Sequence, residues 1–143
     1  MKLAKNAIAK KAATLVKEND TIFVDGSSTT QYMGRYLLEK KNITVVTNGI
    51  PLAVSLSEKG VKTYCTGGEI QQSSLGYAGS FAQMFVDNFN YDICFFSCCQ
   101  GAGFHPFFGG DCLAVSYVAN VFFFRIGFGH IDFCINSLLL YLN

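Results

Sequence analysis

The sequence predicts an α/β domain: a mainly parallel sheet with helices on both faces. Three observations predict it. Short apolar runs rich in β-branched residues recur up to about Ser97, the pattern of buried parallel strands. Segments with helical apolar spacing separate them. Each run is followed by Gly, hydroxyl and small polar residues, as the strand ends of an open sheet require. Helices alternating with short strands imply right-handed crossovers.

The elements follow in order. Ile8, Ala12, Leu15 and Val16 fall on one helix face, with Lys5, Lys10, Lys11, Lys17 and Glu18 around the rest, and Glu18-Asn19-Asp20 ends that helix. Thr21-Ile22-Phe23-Val24 is the first strand. Ser27 or Ser28 suits the cap of a helix carrying Tyr32, Met33, Tyr36 and Leu37 inward. Ile43-Thr44-Val45-Val46 is the second strand. Asn48 suits the cap of the next helix, Pro51 its first turn, Leu52, Ala53 and Leu56 its apolar face, and Gly60 its end. Val61-Lys62-Thr63-Tyr64-Cys65 is the third strand. A polar loop runs from Thr66 to about Gly79. Phe81, Met84 and Phe85 mark a further helix, and Asp92-Ile93-Cys94-Phe95-Phe96 is the fourth strand.

After Ser97 this grammar stops. Between Gln100 and Asn143 only Asp111, Arg125 and Asp132 are charged, and eight of the 14 Phe lie there. The chain therefore divides into a domain over residues 1–99 and an apolar tail over 100–143. Cys112 to Phe124 falls short of the roughly 20 apolar residues that span a bilayer, and Arg125 and His130 interrupt the run. Two further readings of the tail stand: buried strands of the same domain, or a segment altered by a shifted frame or a rearranged gene end, which the break in local consistency suggests.

Composition narrows the function classes. With 143 residues, half of them hydrophobic, the chain buries a real core and is not a disordered protein. A net charge of +1 gives no field that draws the whole chain to nucleic acid or membrane. Lys10 and Lys11 arrive too early for a signal peptide, so a cytoplasmic protein is expected. The six Cys fit that reading: Cys94 alternates into the core, and Cys94, Cys98 and Cys99 lack the second pair that structural zinc sites use. No metal or cofactor is expected.

The chemistry collects at four strand ends: Asp25-Gly26-Ser27-Ser28-Thr29-Thr30, Thr47-Asn48-Gly49, Thr66-Gly67-Gly68-Glu69 and Ser97-Cys98-Cys99-Gln100-Gly101. Ligands of open parallel sheets bind beyond these ends. In the first loop Gly26 permits a turn without a Cβ clash, and Ser27 to Thr30 offer hydroxyls and N–H groups to an anion at a helix start. A helix cap uses the same residues. Asp25 has two readings: it accepts from sugar hydroxyls, or it braces its own loop. Asn48 touches ligand or only caps its helix. Glu69 reads as solvated.

These residues carry a resemblance. Ile8-Ala9 with Ala12-Ala13, Asp20 through Thr30, Val45-Val46-Thr47-Asn48, Gly67-Gly68, Gly76 and Asp92 through Phe96 resemble, in order, the C-terminal sensor domain of the DeoR/GlpR family of bacterial transcriptional repressors. The resemblance implies a Rossmann-like fold shared with ribose-5-phosphate isomerase and the coenzyme A transferases, here incomplete at the C-terminus. It implies an effector, a phosphorylated sugar or polyol, held by Asp25, Gly26, Ser27, Ser28, Thr29 and Thr30, walled by Thr47 and Asn48, with Gly67 and Gly68 letting backbone approach it. It also implies a homo-oligomer. The family's winged helix-turn-helix would precede Met1, so this polypeptide by itself is expected not to bind an operator, and Lys2, Lys5, Lys10 and Lys11 read as a solvated helix face. The family's later elements, including a strand with an Asp and a Lys near the ligand, have no counterpart in Gln100 to Asn143. Two alternatives stand beside the regulator: a sugar-phosphate isomerase on the same fold, which lacks the expected carboxylate after the fourth strand, and an expressed gene remnant without function.

Overall fold

A computed structural model describes residues 2–72, 75–96, 122–127 and 130–133. The chain forms α1 (Lys2–Ala13), β1 (Thr21–Val24), a 3-10 turn (Thr30–Met33) leading into α2 (Gly34–Leu37), β2 (Thr44–Thr47), α3 (Ile50–Glu58) and β3 (Lys62–Cys65). A small hairpin, β4 (Glu69–Gln71) and β5 (Gly76–Ala78), precedes α4 (Ser80–Val86) and β6 (Ile93–Phe96). Strands β7 (Phe122–Gly127) and β8 (His130–Phe133) lie within the tail.

The main sheet has the order β3-β2-β1-β6-β7-β8. The first four strands are parallel, with Phe23 opposite Val46 on one side and Cys94 on the other. β7 joins β6 antiparallel, and β8 joins β7 antiparallel. The expected α/β class is therefore present. The tail residues Phe122 to Phe124, which follow neither period in sequence, are backbone-paired to Cys94, Phe95 and Phe96. The Ser97-to-Gly101 loop, Cys98, Cys99, His105 and the apolar stretch from Cys112 to 121 lie outside the described residues.

Strand alternation splits the core. Ile22, Val24, Val45, Ile93 and Phe95 face α1, α2 and α3, meeting Ile8, Ala12, Met33, Leu37, Leu52 and Leu56. Phe23, Val46 and Cys94 face the other way, onto Ala82 and Val86 of α4 and onto Tyr91. The helices thus cover both faces, as expected.

Four local expectations change. Leu15 is 40% exposed, off the predicted helix face. The helix stops at Ala13, and Thr14, Leu15 and Val16 bond three residues back, to Lys11, Ala12 and Ala13. That tighter turn rotates Leu15 outward and leaves Val16 in the core. On α4, Phe81 and Met84 are 74% and 62% exposed, and small Ala82 faces inward instead. The approach is too close for a large side chain: a Cβ built on Gly68 would lie 3.3 Å from the Ala82 amide nitrogen. The loop from Thr66 to Gly79 contains the β4–β5 hairpin. Asn48 is not the cap: α3 begins at Ile50, and its N-cap position falls on Gly49, with no side-chain cap bond. Pro51 and the buried Leu52, Ala53 and Leu56 sit in α3 as expected. Gly60, at φ 81°, ends the helix, with its N–H on Ser57 O and the Val61 N–H on Leu56 O.

Candidate functional site

The strand order places the site. From β1 the chain builds outward through β2 to β3, then returns to lay β6 on the other side of β1. The direction of winding reverses between β1 and β6, and beyond the carboxyl ends at such a reversal an open sheet forms its ligand crevice. Asp25 opens the loop there. Its N–H donates to Phe95 O at 2.9 Å, tying the loop to β6.

Within the loop, most polar groups turn on one another. Asp25 is buried at 4% exposure, and its Oδ1 accepts from the Thr30 hydroxyl at 2.7 Å and the Ser27 N–H at 3.2 Å. Thr30 is fully buried, and its hydroxyl also lies 2.7 Å from Asp25 O and 2.7 Å from Ser27 Oγ. A hydroxyl has one proton, so these acceptors compete for it. Ser27 Oγ accepts the Thr30 N–H at 3.2 Å, a local side-chain turn, while the N-cap position of the 3-10 turn falls on Thr29, which makes no side-chain cap. Of the two readings of Asp25, loop bracing has these bonds behind it. Thr29 is buried, whereas Ser28 is exposed and accepts a hydrogen bond from Lys5 Nζ at 2.8 Å. Among the described residues the N–H groups of Ser28 and Thr29 meet no acceptor.

The second loop is stitched to the first. Asn48 Oδ1 accepts the Gly26 N–H at 2.9 Å, while its Nδ2 donates to Tyr77 O at 3.1 Å. The Tyr77 N–H donates in turn to Asn48 O at 2.8 Å. One amide side chain therefore joins the β1 loop, the β2 loop and the hairpin. Thr47 Oγ1 accepts the Gly49 N–H at 3.0 Å. Gly26 and Gly49 meet backbone to backbone: a Cβ on Gly26 would lie 2.8 Å from Gly49 Cα. Glycine is needed at Gly26 for that contact.

The third loop divides. Among the described residues nothing lies within 4 Å of a Cβ on Gly67, and Glu69 is exposed, as expected. Gly68, at φ +125°, packs its backbone under Ala78 and Ala82, so its lack of a side chain serves the hairpin and α4. Thr66 is buried at 2% exposure; its N–H donates to Thr47 O at 3.0 Å, and its hydroxyl has no hydrogen-bond partner among the described residues.

Sequence reasoning missed two contributors. Tyr77 enters through a hairpin hidden in a polar stretch. Lys5 departs from the expected solvated face: it is half-buried and bonded to Ser28, whereas Lys2, Lys10 and Lys11 are exposed. The order helix, strand, loop carried that signal. A helix packed antiparallel to the strand that follows it brings its first turn to that strand's carboxyl end. Cys94 lies in the core as expected, and burial pushes its thiol up to about 12. Among the described residues no three His, Cys, Asp or Glu side chains are grouped to hold a metal. Likewise, no helix among them is long and apolar enough to cross a membrane.

Comparison with known proteins identifies a family. The model of the DeoR C-terminal sensor domain matches residues 2–104. The transcriptional regulator GolR of Listeria innocua is 37% identical over 94 residues, 65% of this chain and 37% of GolR. The regulator YulB of Bacillus subtilis is 36% identical over 97 residues, covering 67% of this chain and 37% of YulB. The lactose phosphotransferase system repressor of Streptococcus mutans is 31% identical over 96 residues, 65% of this chain and 38% of that repressor. The chain thus spans well under half the length of these relatives, and the matched part carries the strand-end loops described above. This chain belongs to the DeoR C-terminal sensor domain family.

Proposed function

We propose that this domain is the effector-sensing part of a DeoR-type transcriptional regulator, and that it binds a phosphorylated sugar or polyol to control operator binding by a winged-helix domain outside this chain. One observation carries the reading: the Asp25–Thr30 and Thr47–Gly49 loops converge at the reversal of the sheet, locked by Asn48 and by the Gly26–Gly49 contact. The exposed Ser28 hydroxyl, and the Ser28 and Thr29 N–H groups beside it, suit an anion. The relatives' names are those of regulators, and one names a phosphotransferase system repressor. On this reading Asp25, Ser27 and Thr30 shape the loop, Ser28 and Thr29 face the ligand, Thr47 and Asn48 form the second wall, and Gly67 leaves backbone open to it. Regulation requires the ligand to favour one conformational or oligomeric state. The reading includes association with copies of the same chain, which sedimentation tests.

The test is thermal unfolding of the full chain against a panel of sugar and polyol phosphates. A ligand specific for the folded state stabilises it by about 2.7 kcal/mol at 100 times its Kd, so the midpoint climbs with concentration. A folded protein whose midpoint ignores the whole panel refutes the reading.

A further inference from the structure

A second feature sits beside the β1 loop. Lys2, Lys5, Ser28, Gln31, Tyr32 and Arg35 line a groove of about 380 Å³ between α1 and the 3-10 turn that leads into α2. Among the described residues that lining holds three cationic side chains and no carboxylate. Its walls are held in place. Lys5 Nζ donates to Ser28 Oγ at 2.8 Å, and Tyr36 Oη donates to Asn6 Oδ1 at 2.9 Å, so α1 is tied to the loop and to α2. The Arg35 guanidinium stands 5.9 Å from the centre of the Tyr32 ring, a cation–π contact that limits its wandering.

We infer that this groove receives the phosphoryl group of the effector, with Lys5 and Arg35 as its charged contacts and Ser28 as the hydroxyl between them. The inference rests on the sensing reading above and deepens it. Ser28 is suited to the role because it is the exposed hydroxyl of the loop, while Ser27 and Thr30 are bonded internally. It accepts from the Lys5 ammonium, which leaves its own proton free to donate to an anion. Arg35 offers a planar fork and Lys5 a point charge, the two forms of cation that bind phosphoryl oxygens. A volume of about 380 Å³ exceeds a phosphoryl group, so part of the sugar fits beside it. The rest of the ligand then extends over Ser28 toward the Thr47–Asn48 wall. Lys2 is exposed at the rim and contributes attraction at a distance.

The experiment titrates the full chain with inorganic phosphate, with sugar phosphates, with the matching free sugars and with duplex DNA, following the thermal midpoint. Wild type is compared with Lys5→Gln, Lys5→Arg and Arg35→Gln, each first shown to melt as wild type without ligand. The expected result is a phosphate ester that binds wild type and loses at least about tenfold in affinity in each Gln variant, the scale of one charge-assisted hydrogen bond. Lys5→Arg recovers part of the loss, and free sugars respond equally in all variants. Phosphate esters that bind every variant alike overturn the groove assignment and leave the sensing reading intact. If neither inorganic phosphate nor any ester shifts a folded wild type, both readings fall. A shift caused by DNA and not by esters, lost in the Gln variants, overturns the assignment in favour of a nucleic-acid backbone.

Discussion

Substituting Gly26 by alanine tests the central joint of the molecule. The new Cβ would stand 2.8 Å from Gly49 Cα and 3.2 Å from Gly49 N, where ordinary contact begins at 3.4 Å. Both obstacles are backbone, so no side chain can swing aside. The loops after β1 and β2 must part by about 0.6 Å. Over-packing of this kind costs roughly 1–3 kcal/mol. The same movement lengthens the 2.9 Å bond from the Gly26 N–H to Asn48 Oδ1, whose loss adds roughly 0.5–1.5 kcal/mol. We expect Gly26→Ala to destabilise by about 2–4 kcal/mol. Gly49→Ala, with a Cβ at 2.6 Å from Gly26 Cα, should cost at least as much. Gly67→Ala is the control: among the described residues nothing lies within 4 Å of its Cβ position, and a change within about 0.5 kcal/mol is expected. Urea unfolding followed by tyrosine fluorescence suits a chain with 7 Tyr and no Trp, and the midpoint should fall at constant slope. A Gly26→Ala protein no less stable than Gly67→Ala would refute the close approach of the two loops.

Three further outcomes follow from the same geometry. Asn48→Asp keeps an acceptor for the Gly26 N–H but cannot donate to Tyr77 O, so a loss of about 1–3 kcal/mol is expected in urea unfolding, with faster amide exchange at Tyr77; unchanged exchange there would dissolve the three-way joint. Thr30→Val removes the hydroxyl that Asp25 Oδ1 accepts and should cost about 1.5–3 kcal/mol, whereas Thr30→Ser retains most of the stability; equal stability of the two variants would show that the hydroxyl does not brace the carboxylate. Alkaline pH should destabilise the fold. Above the ordinary thiol value of 9.0 the unfolded chain releases the Cys94 proton while burial keeps it on the folded chain up to about 12. The folded state then binds more protons, so stability is full below pH 9 and falls across that window. Tyr91, raised by burial and then by Cys94 and Asp87, acts in the same direction. Cys94→Ala should flatten the slope of stability against pH above 9, and an unchanged slope would place its source elsewhere.

The sequence alone determined the parallel α/β frame, since β-branched runs four or five residues long between helical periods have few other ways to bury themselves. It also determined the loop from Asp25 to Thr30, because strand ends and their Gly and hydroxyl residues are local signals. The inner faces of α1 and α4 were legible only in part. Leu15 and Phe81 carry the hydrophobicity of core residues, yet a tightened last turn of α1 and the close approach of the Gly68 loop to α4 go with their exposure. The first cause lies in backbone bonds three residues long at the helix end, the second in contact with a loop distant in sequence. The role of Asn48 was hidden for the same reason: a cap and a clamp use the same amide, and only the arrival of Gly26 and Tyr77 decides which it becomes. Lys5 shows the point most directly. On the helix it is one cation among four lysines, and it becomes part of a site because packing α1 against the sheet brings its ammonium to Ser28, 23 positions along the chain. Local pattern settles which elements form; which side chains meet is settled when those elements share one core.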